Sequence, residues 1–282
     1  MSTNFPNGVS SYGMPVIPVN LLNPRGKIYF VDANNGVDGN SGTTINKPFL
    51  TMSRAFGRLV SGDNIVFWGN VREQLVTPVQ IFDITVVGAS NRPRHADSTP
   101  SGGQSGATWR APASCAVVGQ ANVRVLQQGW KFVNFLMAME SSTAAGIEIV
   151  RNAGAGNAER DGSHASIIGC RFAGAGVGVR SGVAGSFTEI PYNVEIGSCK
   201  FNDNTTAISG AIINNSWHIH HNVFQACTNN IVLAAQNTLI NNNYLGSFTT
   251  SSIVLTGGAG LNVICFNYLS GTYSIAGGYT AA

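Results

Sequence analysis

Two short runs hold most of the side chains that could do chemistry. Trp217-His218-Ile219-His220-His221 gathers three imidazoles, and Glu159-Arg160-Asp161-Gly162-Ser163-His164 gathers acid, base and hydroxyl within six residues. In the second run Glu159, Asp161 and His164 are weak candidates for acid and base work on a sugar, against the plainer reading of a solvated loop or subunit contact. In the first, histidines two apart on a strand share a face, as a zinc site needs. A bend inferred just after Ile219 turns His220 and His221 away from His218, and the neighbouring repeats put only Glu195 and Leu239 beside it. No metal site is therefore expected, and no cofactor is implied.

Cleaving a glycan takes two or three carboxylates brought together. Glu195 and Asp203 sit on opposite sides of one repeat, while Glu140 and Glu148 find no acid at the matching position of the next. The acids thus lean against an enzyme.

The elements that must position these residues are set by a repeated six-residue phrase: an apolar residue, two spacers, Gln/Cys/Asn, a spacer, and a large apolar residue. Copies are read at Val125–Trp130, Ile167–Phe172, Ile196–Phe201, Ile219–Phe224, Ile240–Leu245 and Ile264–Leu269, with first residues 42, 29, 23, 21 and 24 apart. A spacing that settles at 21 to 24 residues marks a solenoid. Positions three and five beyond the Ile cannot share its strand parity without a bend. With that bend, the polar position falls at a corner, where Cys170, Cys199, Asn222, Asn243 and Asn267 form a structural ladder between rungs. Cys170 beside Cys199 has the look of a disulfide, but stacked free thiols in a reduced interior are the expectation.

A second apolar patch follows each phrase (Val177 and Val179, Ile208, Ile231 and Leu233, Ile253 and Leu255, Ile275), so each rung holds two or three strands. Between corner and final apolar residue runs an outward row, Arg171, Lys200, Val223, Tyr244 and Tyr268. Arg171, Lys200, Tyr244 and Tyr268 are its glycan- or subunit-contact candidates, through cations and ring faces.

Composition agrees with short strands and polar turns. Of 282 residues only 10% are charged and 34 are Gly, without the Glu, Lys and Leu surplus of helical proteins. A net charge of +3 is too small and scattered for nucleic acid. Five cysteines in neither zinc nor redox spacing read as free thiols. No basic run precedes an apolar stretch and none approaches 18 apolar residues, so neither leader nor membrane span is expected, and folding in a reducing cytoplasm follows.

Along the chain, residues 1–25, with Pro6, Pro15, Pro18 and Pro24, read as an extended arm. Residues 26–62 read as a strand (Lys27–Val31), a polar loop and an amphipathic helix on Phe49, Leu50, Met52, Ala55, Phe56, Leu59 and Val60 that caps the first rung. Residues 63–282 read as the rungs, interrupted by loop insertions near 90–113 and 151–165.

Tyr29-Phe30-Val31-Asp32-Ala33-Asn34-Asn35-Gly36-Val37-Asp38-Gly39, then Lys47-Pro48-Phe49-Leu50-Thr51 and Ser61-Gly62-Asp63-Asn64-Ile65, resemble the opening of the pectate-lyase-like right-handed parallel β-helix superfamily. The resemblance implies an all-β chain folded as a single right-handed parallel β-helix, and implies little about activity, since that superfamily spans lyases, hydrolases, adhesins and phage spikes. Asn4 to Val16 is similar to the N-termini of structural proteins of tailed bacteriophages, which implies a particle-anchoring arm built on Phe5, Pro6, Tyr12, Met14 and Pro15.

Together these give a non-enzymatic structural protein of a tailed-phage virion, made in the host cytoplasm: a short capsid-decorating spike or small tail adhesin. A homotrimer is expected from outward apolar residues such as Val223, with other virion proteins and host surface polysaccharide as further partners, and neither nucleic acid nor membrane. The alternative is a polysaccharide lyase or glycosidase acting on a host glycan.

Overall fold

The structure, a computed structural model, describes residues 10–11, 14–15, 22–89, 106–110, 121–139, 144–152, 160–182, 191–246, 248–256, 261–269 and 275–276. They form a right-handed parallel β-helix with three faces. The first face stacks nine strands, from Ile28–Asp32 and the first half of Asn64–Arg72 to Val263–Cys265. The second runs from the other half of Asn64–Arg72 through Ala107–Arg110 to Tyr268–Leu269, and the third from Leu75–Val76 to Ile275–Ala276. Gly69, at φ 83°, is the hinge by which one strand serves two faces.

Each regular rung passes through the first two faces by one device. A three-residue strand points its middle residue inward, so Ile167, Ile196, Ile219 and Ile240 stack in one fully buried column. The chain turns at the residue two beyond that Ile, which takes the left-handed conformation: Gly169, Ser198, His221, Asn242 and Phe266 all have φ between 54° and 64°. The second strand then points Phe172, Phe201 and Phe224 inward, with ring centroids 4.9 and 5.0 Å apart and planes within 8° of parallel. The bend therefore falls one residue later than parity alone suggested, because the residue after the Ile still completes its strand. In the Val125 copy the phrase is misplaced as well: Val125 ends a third-face strand, and the true equivalent starts at Phe132, with Asn134 at the left-handed corner and Met137 inward.

At the corner position Asn222, Asn243 and Asn267 bond like rungs of a ladder. The Asn243 amide nitrogen donates to the Ile219 carbonyl at 2.9 Å, while its oxygen accepts from the backbone N–H and side-chain amide of Asn222, both at 3.0 Å. Asn267 repeats the pattern toward Ile240 and Asn243, and Asn222 toward Ile196 and Cys199. Each amide satisfies donors and acceptors of two rungs, fully shielded from water at Asn222 and Asn243 and partly so at Asn267. Cys170 and Cys199 continue the column as free thiols, Cys199 donating to the carbonyls of Gly197 and Ile167. Burial pushes the Cys170 thiol up to about 12, so it stays protonated and unreactive.

The N-terminal end is closed by a helix shorter than its periodicity implied, Met52–Phe56 instead of Phe49 to Val60. Phe49 is buried on a parallel bridge to Val31 and Leu59 beyond the helix's end, while Val60 stays exposed. Thr51 caps the helix by accepting from Arg54 N–H, and Phe56 packs on Trp109 and Trp130 to cover the first rungs. Asp38 and Glu73 both accept backbone N–H groups at its start.

Both expected insertions contain regular structure. Ala107–Arg110 is a rung strand of the second face, buried through Trp109, although its sequence looked like loop. Residues 151–165 leave and re-enter through an antiparallel pair, Arg151–Asn152 with Arg160–Asp161. In the N-terminal segment Ser10–Ser11 pairs antiparallel with Met14–Pro15, so the arm doubles back there. Phe5, Pro6 and Tyr12 lie outside the described residues.

Candidate functional site

The outward row of the second face is not uniformly open. Arg171 is only 3% exposed, so although strand parity points it outward it offers little surface for a glycan or subunit contact. Lys200 is half-buried between Arg171 and Val223. Tyr244 and Tyr268 are exposed at 43% and 63%, their rings stacked with centroids 5.0 Å apart and planes 12° from parallel. Each ring gives one face to the other, so the ridge presents edges and hydroxyls along its side.

Among the described residues of the 159–164 run, Asp161 and His164 make no hydrogen bond to each other. Asp161 is held by the Gln128 amide at 2.7 Å and the Ser163 N–H at 2.9 Å, with the Arg151 guanidinium at 3.6 Å. His164 is exposed, sits at φ 59° and meets Tyr192 edge to face at 5.0 Å. Glu159 lies outside the described residues.

Glu148 does have matching partners, and they are basic. On the third face its register neighbours are Arg124 and Arg180, whose guanidiniums reach its two oxygens at 2.6 and 3.0 Å. Its side chain has no exposure at all. A carboxylate enclosed between two cations serves as a cross-rung staple; neutralising either arginine would leave one buried oxygen without its cation.

The most concentrated polar group is on the outer side of the first face. His218 and His220, flanking inward Ile219, do share one face, because the corner falls at His221 and not after Ile219. Glu195 is the register partner of His218, and Gly197 of His220. His220 Nε2 lies 3.1 Å from Glu195 Oε1, and Glu195 Oε2 accepts from Ser166 Oγ at 3.2 Å. His218 Nε2 is 2.9 Å from Asn241 Oδ1, and His220 Nδ1 is 2.9 Å from His221 Nδ1. The His218 and His220 rings stack with centroids 4.1 Å apart. Pairing along the strand was legible in the sequence; the position of the bend hid it.

No family model matches the chain, and no curated protein sequence matches it. Among solved structures it is similar to pectate lyase Pel9A, at 12% identity over 90% of this chain and 78% of that one, with a TM-score of 0.41. It is also similar to the pectin methylesterase from Aspergillus niger (11% identity, 91% and 87% covered, TM-score 0.38) and to XylC in complex with xylose (10%, 84% and 70%, TM-score 0.39). Likeness at this level carries no statement about what the chain does.

Proposed function

We propose that the chain is a non-enzymatic β-helical rod that serves as a structural part of a tailed-phage particle and touches host surface glycan along its side. The observation that supports this is the commitment of its acids. Among the described residues no two carboxylates stack in register on adjacent rungs: Glu148 lies between arginines, and Glu195 between Ser166 and His218. Asp32, Asp38, Asp63 and Glu73 are occupied by backbone N–H groups. Acids so bound lack the paired, open geometry of glycan cleavage. The Tyr244/Tyr268 ridge offers hydroxyls and ring edges to sugars, and a sugar-binding surface needs no acid pair.

The phage setting follows from the similarity of residues 4–16 to virion proteins, and the arm is the part proposed to hold the particle. The test incubates the purified chain with host capsular or cell-wall polysaccharide and follows both retention and new chain ends. Retention weakened by Tyr268→Ala and Tyr244→Ala, without new reducing ends or unsaturated products, is the expected result. Released products would overturn it in favour of a lyase or glycosidase. Loss of residues 1–20 is expected to abolish incorporation into particles, and undisturbed incorporation would remove the anchoring role.

A further inference from the structure

We propose that Glu195, His218 and His220 bind one divalent transition-metal ion of the zinc class on the outer side of the first face. One donor atom of each lies within 4.8 Å of the other two, and all three side chains are half-buried. The strand makes this placement automatic for the two imidazoles, and parallel register brings the carboxylate from the preceding rung.

Gly197 supplies a second, independent observation. A Cβ at that position would lie 2.6 Å from His220 Cε1, 2.7 Å from its Nε2 and 3.2 Å from Ile168 Cδ1. Only the missing side chain lets the His220 ring lie down over the preceding rung and reach Glu195. Gly197 is in an ordinary strand with no left-handed φ, so the backbone does not require glycine there; the imidazole does.

The hydrogen bond made by His218 sets its tautomer in the sense that ligation needs, whereas at His220 an ion would displace a proton. Asn241 Oδ1 accepts the hydrogen bond of His218 Nε2–H, which leaves Nδ1 of His218 with its lone pair. Before metal enters, His220 Nε2–H donates to Glu195 Oε1 and His220 Nδ1 accepts from His221 Nδ1–H; an ion would take the place of the Nε2 proton between His220 and the carboxylate. Ser166 steadies the other carboxylate oxygen. Two nitrogens and one oxygen suit zinc, cobalt or nickel over calcium or magnesium, which prefer oxygen alone. Three protein ligands leave a fourth position toward solvent for water or a donor from a bound molecule.

The test uses the full chain without a histidine tag, stripped with chelator and titrated with Co²⁺ and then Zn²⁺. One ion per chain is expected, with visible bands of four-coordinate cobalt that zinc abolishes and a raised melting temperature. Glu195→Gln and His220→Asn are each expected to weaken binding by at least about tenfold, and Ser166→Ala by about tenfold. His164→Asn, outside the cluster, leaves binding unchanged. Gly197→Ala keeps all three ligands but displaces the His220 ring, so it should weaken binding about as much as His220→Asn. Its metal-free melting temperature serves as the folding control. Absence of stoichiometric uptake, or uptake that survives Glu195→Gln and Gly197→Ala, overturns the site.

Discussion

At the scale of single residues, the corner amides do more for cohesion than their polarity suggests. Asn243 is 1% exposed and spans three rungs through its two donors and one oxygen. Truncating it orphans the Ile219 carbonyl and the Asn222 N–H in a dry interior. Asn243→Ala is accordingly expected to cost about 3 kcal/mol. Asn267 makes the equivalent bonds but is half-buried, so water replaces part of what is lost and Asn267→Ala costs about 1 kcal/mol. Urea denaturation midpoints at constant slope separate the two, and equal losses would show that burial does not govern the ladder. The amide column was legible from the sequence because the amides recur at a fixed offset from the Ile. The enclosure of Glu148 was not, since its arginines lie 24 and 32 residues away, the second well outside the repeat that organises later rungs. Arg171 escaped for a related reason: parity says which way a side chain points, never what packs over it.

At the scale of elements, the capping helix shows where periodicity overreaches. Apolar residues three and four apart run from Phe49 to Val60, yet the helix occupies only Met52–Phe56: Phe49 is buried by bridging Val31, Leu59 is buried without a helical turn, and Val60 stays exposed. So short a helix makes few bonds of its own and relies on carboxylates at its start. Burial, opposed by the Ser53 and Met52 N–H groups and aided by the nearby Asp38 charge, holds the Glu73 carboxyl above its ordinary 4.5. The native state therefore binds this proton more tightly than the unfolded chain. Its stabilising effect is present below pH 4.5 and is lost as pH rises through the raised native value. Glu73→Gln cannot ionise, so its stability relative to the parent chain should climb across that window. A flat difference between the two chains from pH 4 to pH 7 would contradict the assignment.

At the scale of the whole molecule, every rung from Ser166 onward repeats the same inward Ile and left-handed corner, stacked in register on the first face. The third face takes up irregularities at 210–214 and 227–229, so it is equivalent first-face points on successive rungs that are interchangeable junctions. His218 and Leu239 are such a pair. Excising residues 218–238 joins Trp217 to Leu239 and sets Ile240 on Ile196, Asn243 on Cys199 and Leu245 on Phe201, each a match the rod already tolerates. The shortened chain is expected to fold cooperatively into a rod about 4.8 Å shorter, measurable by small-angle scattering. An unfolded or aggregated product would mean that the rungs are not equivalent. Length in this molecule is thus a countable quantity, one that a lineage could lengthen or trim by duplicating or dropping a single turn of chain without redesigning either end.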